Sequence, residues 1–264
     1  DWSSDVCSSD LDAIGLPIIG IDDYEADDVI ATLATREAGP CVIATGDRDL
    51  FQLVDDRKPI KVAYLAKGIS SHELVDLKWI SERYGIPGER YALMALLRGD
   101  PSDGLPGVRG IGEKGAAKIV SHFGSVSEII NAAENNDERL TSSLCKKLLD
   151  GKEYLDRALP VVTCVRDLRL PTLAPALPKS VSDRAKIDQL VEEYGVGTSV
   201  NRLLAALALD EKLEYFDVTN NLGVSRRPHR LWGIPALGKV VALSCCASVF
   251  YCAHAKSKFA HSIN

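Results

Sequence analysis

No stretch of this 264-residue chain approaches the roughly 18 consecutive apolar residues of a membrane-spanning helix, and its first residues lack the basic-then-apolar order of an export signal. Neither a membrane span nor secretion is expected. The seven cysteines are scattered, three of them (Cys245, Cys246, Cys252) near the end, and no pair with zinc-ligand spacing is matched by a second pair. A structural zinc site is therefore not expected, and reduced thiols in a cytosol are. No Asp or Glu follows Asp217, whereas Arg226, Arg227, Arg230, Lys239, Lys256 and Lys258 give that end six positive charges. A basic nucleic-acid arm would carry such charge, but "VVALSCCASVFYCAHA" is more apolar than an arm should be, so residues 211–264 are expected to be a non-native or disordered tail. Residues 1–11, "DWSSDVCSSDL", show no periodicity and are what one frame of a common short-read library adapter translates to; they too are expected to be foreign to the fold.

What remains is acidic. At 46% hydrophobic and 26% charged residues the chain can bury a core. Its formal net charge of −6 becomes −9 over residues 12–218 once the three aspartates of residues 1–11 and the six tail cations are set aside. A generic basic nucleic-acid binder would not look like this, so the negative charge has to be explained where it stands.

The apolar pattern is α/β first and helical afterwards. "GLPIIGI" (15–21) reads as a buried strand, and a helix from near Tyr24 would set Val29, Ile30, Leu33 and Ala34 on one face before Gly39 and Pro40 stop it. Residues 41–44 read as a second strand, 50–54 as a short helix and 60–65 as a third strand. That order implies a parallel sheet, with an α/β core over residues 12–75. Past Asp76 the pattern predicts helices alone, over 77–84, 89–97, 113–122 and 126–133, the last opened by a capping box of Ser125 and Glu128. A linker, "LRLPTLAPALPKS", and two closing helices complete a helical region over 76–210.

Glu25, Asp27 and Asp28 fall in the first helical turn after the first expected strand, and Asp47 and Asp49 follow the second. In a parallel sheet both places lie at the carboxyl ends of strands, where ligands gather. Acids in a first turn complement the helix dipole by about 0.3–1 kcal/mol each, and aspartates serve in turns, so either cluster alone has an ordinary structural explanation. Two clusters at equivalent strand ends, followed by Asp100 and Asp103 in "RGDPSDGLPG", do not. Like charges packed together destabilise a fold unless cations sit among them. Divalent metal resolves the conflict, and hard oxygen donors favour Mg²⁺ or Mn²⁺ over zinc.

The next stretch, "GLPGVRGIGEKGAAKIV", contains Gly110, Gly112 and Gly115 at G-x-G-x-x-G spacing. A dinucleotide loop would follow a strand, and a P-loop would need Lys directly after Gly112, where Glu113 stands, so neither applies. A hairpin between two helices fits better. Gly107, Gly110 and Gly112 permit a tight backbone, whose amides together with the next helix N-terminus can hold a phosphate. Arg109, Lys114 and Lys118 add positive charge on the same side, an arrangement that grips a nucleic-acid backbone without reading bases.

In this order and at these intervals, "YEADD", "TGDRDL" and "RGDPSDGLPGVRGIGEKGA" resemble the 5′→3′ exonuclease domain of bacterial DNA polymerase I and its stand-alone relatives in the flap endonuclease superfamily, over about residues 12–210. The resemblance implies a PIN-like parallel-sheet nuclease core followed by a helical, helix-three-turn-helix DNA-binding region. It implies that Glu25, Asp27, Asp28, Asp47, Asp49, Asp100 and Asp103 hold two or more Mg²⁺ or Mn²⁺ ions, and that hairpin carbonyls hold a K⁺ ion. The implied substrate is duplex DNA with a 5′ end or 5′ flap, in the bacterial cytosol or nucleoid, and no obligate protein partner is called for. One metal ion would lower the pKa of a bound water and a second would stabilise the leaving 3′ oxygen. Two departures stand in the DNA-binding segment: Gly104 where the family usually has Asn, and Gly115 where it usually has Thr. The family's first strand with its Asp, a further Asp and a basic clamp would all precede residue 12, so these residues alone are expected to be inactive or barely active. The alternative is a non-catalytic duplex-binding module whose acids have degenerated. A phosphatase-like enzyme would need an acyl-phosphate Asp after the first strand, and none is evident.

Overall fold

The computed structural model describes residues 12–101, 104–171, 178, 180–206 and 239–243. The chain divides into two compact units, one of residues 21–170 with 236–264 and the other of residues 1–20 with 171–235.

In the first unit, helix α1 (Ala26–Arg36) precedes strands β1 (Cys41–Thr45), β2 (Ile60–Tyr64) and β3 (Glu73–Val75). Helices α2 (Leu77–Tyr84), α3 (Tyr91–Arg98), α4 (Glu113–His122), α5 (Val126–Glu134), α6 (Ser142–Asp150) and α7 (Lys152–Val162) follow, and β4 (Lys239–Leu243) completes the sheet. The strand order is β3-β2-β1-β4. β1 pairs in parallel with β2 (Thr45 opposite Tyr64) and with β4, while β3 lies antiparallel to β2. β1 and β2 bury nearly every side chain, as expected of strands covered on both faces. Phe51, from the 3₁₀ helix Asp49–Leu53, is fully enclosed with its ring 5.1–5.7 Å from those of Tyr64, Trp79 and Tyr91. This aromatic cluster fastens the start of the helical region to the carboxyl end of the sheet.

Local chemistry sets the helix ends. Asp76 accepts a hydrogen bond from the Trp79 amide (2.8 Å) to open α2, and Gly85, at φ +67°, closes it in the left-handed conformation. Ser125 accepts from the Glu128 amide, but the Glu128 carboxylate accepts from the Gly124 amide and not from that of Ser125, so α5 starts where expected with half of the expected capping box. The second unit is smaller. Arg184–Tyr194 (α8), capped by Asp183, and Gly197–Ala206 (α9) bury Ile187, Val191, Val200 and Leu204 against Ala13 and Ile14.

Three expectations change. Residues 15–21 form no strand. Gly15 takes a positive φ of 92°, Pro17 has no amide to give a ladder, Ile18 is 50% exposed, and Leu16 packs among α8 and α9. The strands do not end at Asp76: β4 lies in the segment expected to be a non-native or disordered tail, and it pairs with the edge of β1 that β2 leaves open. Helices α6 and α7 and strand β3 had no counterpart in the sequence reading. The two closing helices and those at 77–84 and 113–122 stand where expected, whereas 50–54 is 3₁₀ and 89–97 begins with the 3₁₀ turn Gly88–Arg90.

Candidate metal centre and duplex-binding hairpin

Only four polar or charged side chains are buried among the described residues: Asp27, Thr32, Thr45 and Gln52. Asp27 and Thr32 lie on α1, Thr45 ends β1, and Gln52 lies in the 3₁₀ helix that follows it, so the buried polar side chains of the described residues come from these neighbouring segments.

Two consecutive turns build it. Thr45 Oγ1, at the end of β1, accepts from the Asp47 amide (3.0 Å), and Asp47 Oδ1 accepts from the Asp49 amide (2.9 Å). The chain thus turns sharply out of the strand with the Asp47 and Asp49 carboxylates side by side. Asp27, 6% exposed in the first turn of α1, meets them, and carboxylate oxygens of all three lie within 4.8 Å of one another. At that separation and an effective dielectric of about 20, each ionised pair repels by about 3 kcal/mol. A cation among them would turn this cost into attraction.

Glu25 and Asp28 also hold the start of the helix. They form a capping box in which the Glu25 carboxylate accepts from the Asp28 amide and Asp28 Oδ2 accepts from the Glu25 amide (3.2 Å). Asp28 Oδ1 accepts from the Val165 amide at 2.7 Å. Residues 163–168 run as an extended strap after α7. Thr32 Oγ1 donates to the Val165 carbonyl and accepts from the Leu168 amide, and Arg36 donates to the Leu168 carbonyl. Gln52 fixes the strap to the other half of the acid cluster. Its Nε2 donates to the carbonyls of Asp49 (2.9 Å) and Val162 (3.0 Å), and its Oε1 accepts from the Cys164 amide (3.0 Å). The strap therefore holds the amino end of α1 against the carboxyl end of β1, which brings Asp27 to Asp47 and Asp49. Gln52→Met keeps the volume but strands a buried amide and two carbonyls. It is expected to cost roughly 2–3 kcal/mol in urea unfolding with an unchanged m value.

Cys164 lies close enough to the acids for them to act on it. Burial first, then Asp27, Asp28 and Asp49, push its thiol well above the usual range, so it is a neutral thiol at neutral pH. The donors offered to an ion are hard oxygens alone, a set that suits Mg²⁺ or Mn²⁺. Cys41, Cys145 and Cys164 are free and buried.

Asp100 is not one of the three acids within 4.8 Å of one another. It follows α3 in a short ladder with Leu105, and its carboxylate lies 3.8 Å from the Arg98 guanidinium, which also reaches Glu113 of α4 (3.4 Å). Asp103 lies outside the described residues. Of the seven acids singled out in the sequence, the structure gathers three, sets two as helix-capping groups beside them and pairs one with an arginine.

The glycine-rich segment is a hairpin between α3 and α4, as expected. The Val108 amide donates to the Leu97 carbonyl and the Ile111 amide to the Val108 carbonyl (both 2.9 Å), while Leu105, Val108 and Ile111 are buried beneath. Gly107 (φ +70°) is buried against the Arg98 carbonyl and is structural; Gly110 (φ +78°) and Gly112, the cap of α4, are exposed. The first amides of α4 have no helical acceptor, and Arg109, Lys114 and Lys118 are exposed around them. Lys147, from α6 and unnoticed in the sequence, donates to the Gly110 carbonyl at 3.0 Å and holds the hairpin from behind. Gly104 sits at φ +70°, a region that Gly and Asn share, and a Cβ on Gly115 would make only an ordinary contact with Ile111, so neither departure alters the backbone.

No helix among the described residues is long and apolar enough to cross a membrane. Two family models match end to end: the N-terminal resolvase-like domain of 5′-3′ exonucleases over residues 4–85, and their C-terminal SAM-fold domain over residues 86–185. The first match begins inside residues 1–11. A 5′-3′ exonuclease of Streptomyces coelicolor is 47% identical over 197 residues, covering 75% of this chain and 65% of its own, and one of Mycobacterium tuberculosis is 42% identical over 205 residues, covering 75% and 64%. A DNA polymerase I of Mycobacterium bovis is 34% identical over 220 residues, 81% of this chain and 24% of that one. The chain thus spans just under two thirds of the length of these exonucleases. Among solved structures, a T5 5′-exonuclease with divalent metal ions (zinc) bound aligns at 21% identity and a TM-score of 0.48, over 72% of this chain and 64% of that one. With both domain models matched in order over residues 4–185, the chain belongs to the 5′-3′ exonuclease family.

Proposed function

We propose that this chain supplies the divalent-metal site and the duplex-gripping hairpin of a 5′→3′ exonuclease or flap endonuclease that hydrolyses DNA phosphodiester bonds. The observation that carries the reading is the meeting of Asp27, Asp47 and Asp49 within 4.8 Å, from two separate segments, at the carboxyl end of the sheet. Asp27, Asp47 and Asp49 offer hard oxygen ligands for Mg²⁺ or Mn²⁺, and Asp100 and Asp103 are the candidates for a second ion. Glu25 and Asp28 keep the end of α1 in place through the capping box and the strap. Bound ions would supply an activated water at neutral pH and charge stabilisation for the leaving oxygen.

Arg109, Lys114, Lys118 and the amides of Gly110 and Gly112 would hold phosphates of the duplex. Their contacts carry no base information, which suits an enzyme that recognises a 5′ end or flap by its shape. The binding half is tested by anisotropy of a labelled 5′-flap duplex between about 50 and 200 mM salt. Arg109→Ala and Lys114→Ala are each expected to weaken binding and to flatten the log–log salt slope by about 0.9; unchanged slopes in both would remove the hairpin from the interface. The catalytic half is tested with the same duplex. Mg²⁺-dependent cleavage, expected to be weak at most for these residues alone, should vanish in Asp49→Asn, and cleavage that survives this change would place the chemistry elsewhere. Duplex binding by a protein whose acids take no divalent ion would instead favour a non-catalytic binding module.

A further inference from the structure

Arg48 stands in the chain between two of the three clustered acids, yet among the described residues it forms no ion pair with either. Its side chain turns away from them. Nε donates to the Tyr64 hydroxyl at 3.0 Å, and the guanidinium carbon lies 6.0 Å from the centre of that ring. Tyr64 is the last residue of β2, directly opposite Thr45, the last residue of β1. Arg48 is therefore exposed on the same carboxyl rim as the acids, one strand further along. The anchor itself is rigid, because the Tyr64 ring is buried and packed edge-on against Phe51 at 5.1 Å. With Nε satisfied, the terminal nitrogens of the fork keep their donors for an acceptor from outside the protein.

A guanidinium held at Nε, with its two terminal nitrogens presented to solvent beside a cluster of carboxylates, matches a tetrahedral anion that the carboxylates themselves cannot approach. We infer that Arg48, aimed by Tyr64, grips a backbone phosphate of the DNA strand next to the phosphodiester that the acid cluster would act on. This role rests on the proposed nuclease function and adds to it a substrate contact separate from the hairpin. Several features favour a strand phosphate over a base edge. Among the described residues the terminal nitrogens of the fork have no hydrogen-bond acceptor within the protein, and the fork lies on the rim where ligands of parallel sheets collect.

The experiment compares wild type, Arg48→Gln, Arg48→Lys and Tyr64→Phe by anisotropy on a 5′-flap duplex over a salt series, with Mn²⁺ calorimetry and a thermal melt on each. Arg48→Gln is expected to flatten the salt slope by about 0.7–0.9 and to weaken binding about five- to tenfold near 0.1 M salt, while Mn²⁺ binds as well as before or more tightly, since a cation beside the acids is gone. Arg48→Lys should keep the slope and lose part of the affinity. Tyr64→Phe should lose affinity with the slope intact, as fits a residue that only aims the fork. An Arg48→Gln protein with wild-type slope, or one whose losses merely follow a lowered melting temperature, overturns the inference. If wild type itself binds no Mn²⁺ or no duplex, the nuclease reading fails, and this inference with it.

Discussion

Gly107→Ala is expected to destabilise the protein by roughly 3 to 5 kcal/mol and to abolish duplex binding. At φ +70° an alanine pays the left-handed penalty of about 1–2 kcal/mol, and its Cβ would also run into backbone, the Arg98 carbonyl and the Gly99 amide, which have no side-chain freedom to yield. Gly99 is in the same position from the other side, its own Cβ position filled by Gly107 and Leu105. Two glycines face each other so that the end of α3 and the hairpin can touch backbone to backbone. Gly110→Ala is the control. It has a similar φ, +78°, but its Cβ would meet only the flexible end of Lys147, so the loss should stay near the conformational penalty alone. Urea unfolding of the two variants separates the contributions, and equal losses would mean that the close approach costs nothing.

Asp49→Asn is expected to remove the stabilisation that a divalent ion gives. An ion bound only by the folded protein stabilises it by about 2.7 kcal/mol at a hundredfold excess over its dissociation constant, worth roughly 5–10 °C in a domain of this size. Asparagine keeps the shape of aspartate and removes one of three like charges, so without metal the variant should melt at the wild-type temperature or above it. With Mn²⁺ the order should reverse. A metal-binding residue produces this crossing of melting temperatures; a turn or helix-dipole residue would give the same deficit with and without the ion.

Much of this was legible in the sequence because it is local. The hairpin announces itself in the glycines and the cations around them, and the turn after β1 in Thr45 and Asp47, each of whose side chains accepts from the amide two residues on. Asp27 was legible as an acid of a first helical turn. The reason it faces Asp47 was not, since among the described residues no strand precedes α1 and the placement depends on Thr32, Gln52 and Asp28 gripping residues more than a hundred positions away. For the same reason Asp28 and Glu25 were indistinguishable from Asp27 by type and spacing; only hydrogen bonds to Val165 and across the capping box set them apart. Residues 15–21 illustrate the opposite failure. An apolar run around a proline has the composition of a strand, but Leu16 packs in the second unit and Ile18 is half exposed. Lys147 has no motif at all, and its contact with Gly110 arises from the packing of α6 beside the hairpin.

The most direct test of the acid cluster is calorimetric titration of Mn²⁺ into the chain and into Asp27→Asn and Asp49→Asn. Saturable binding by wild type that is lost or weakened at least tenfold in both variants is the predicted result. Equal heats in all three proteins, or none in wild type, would contradict it and leave Asp27, Asp47 and Asp49 as capping and turn residues.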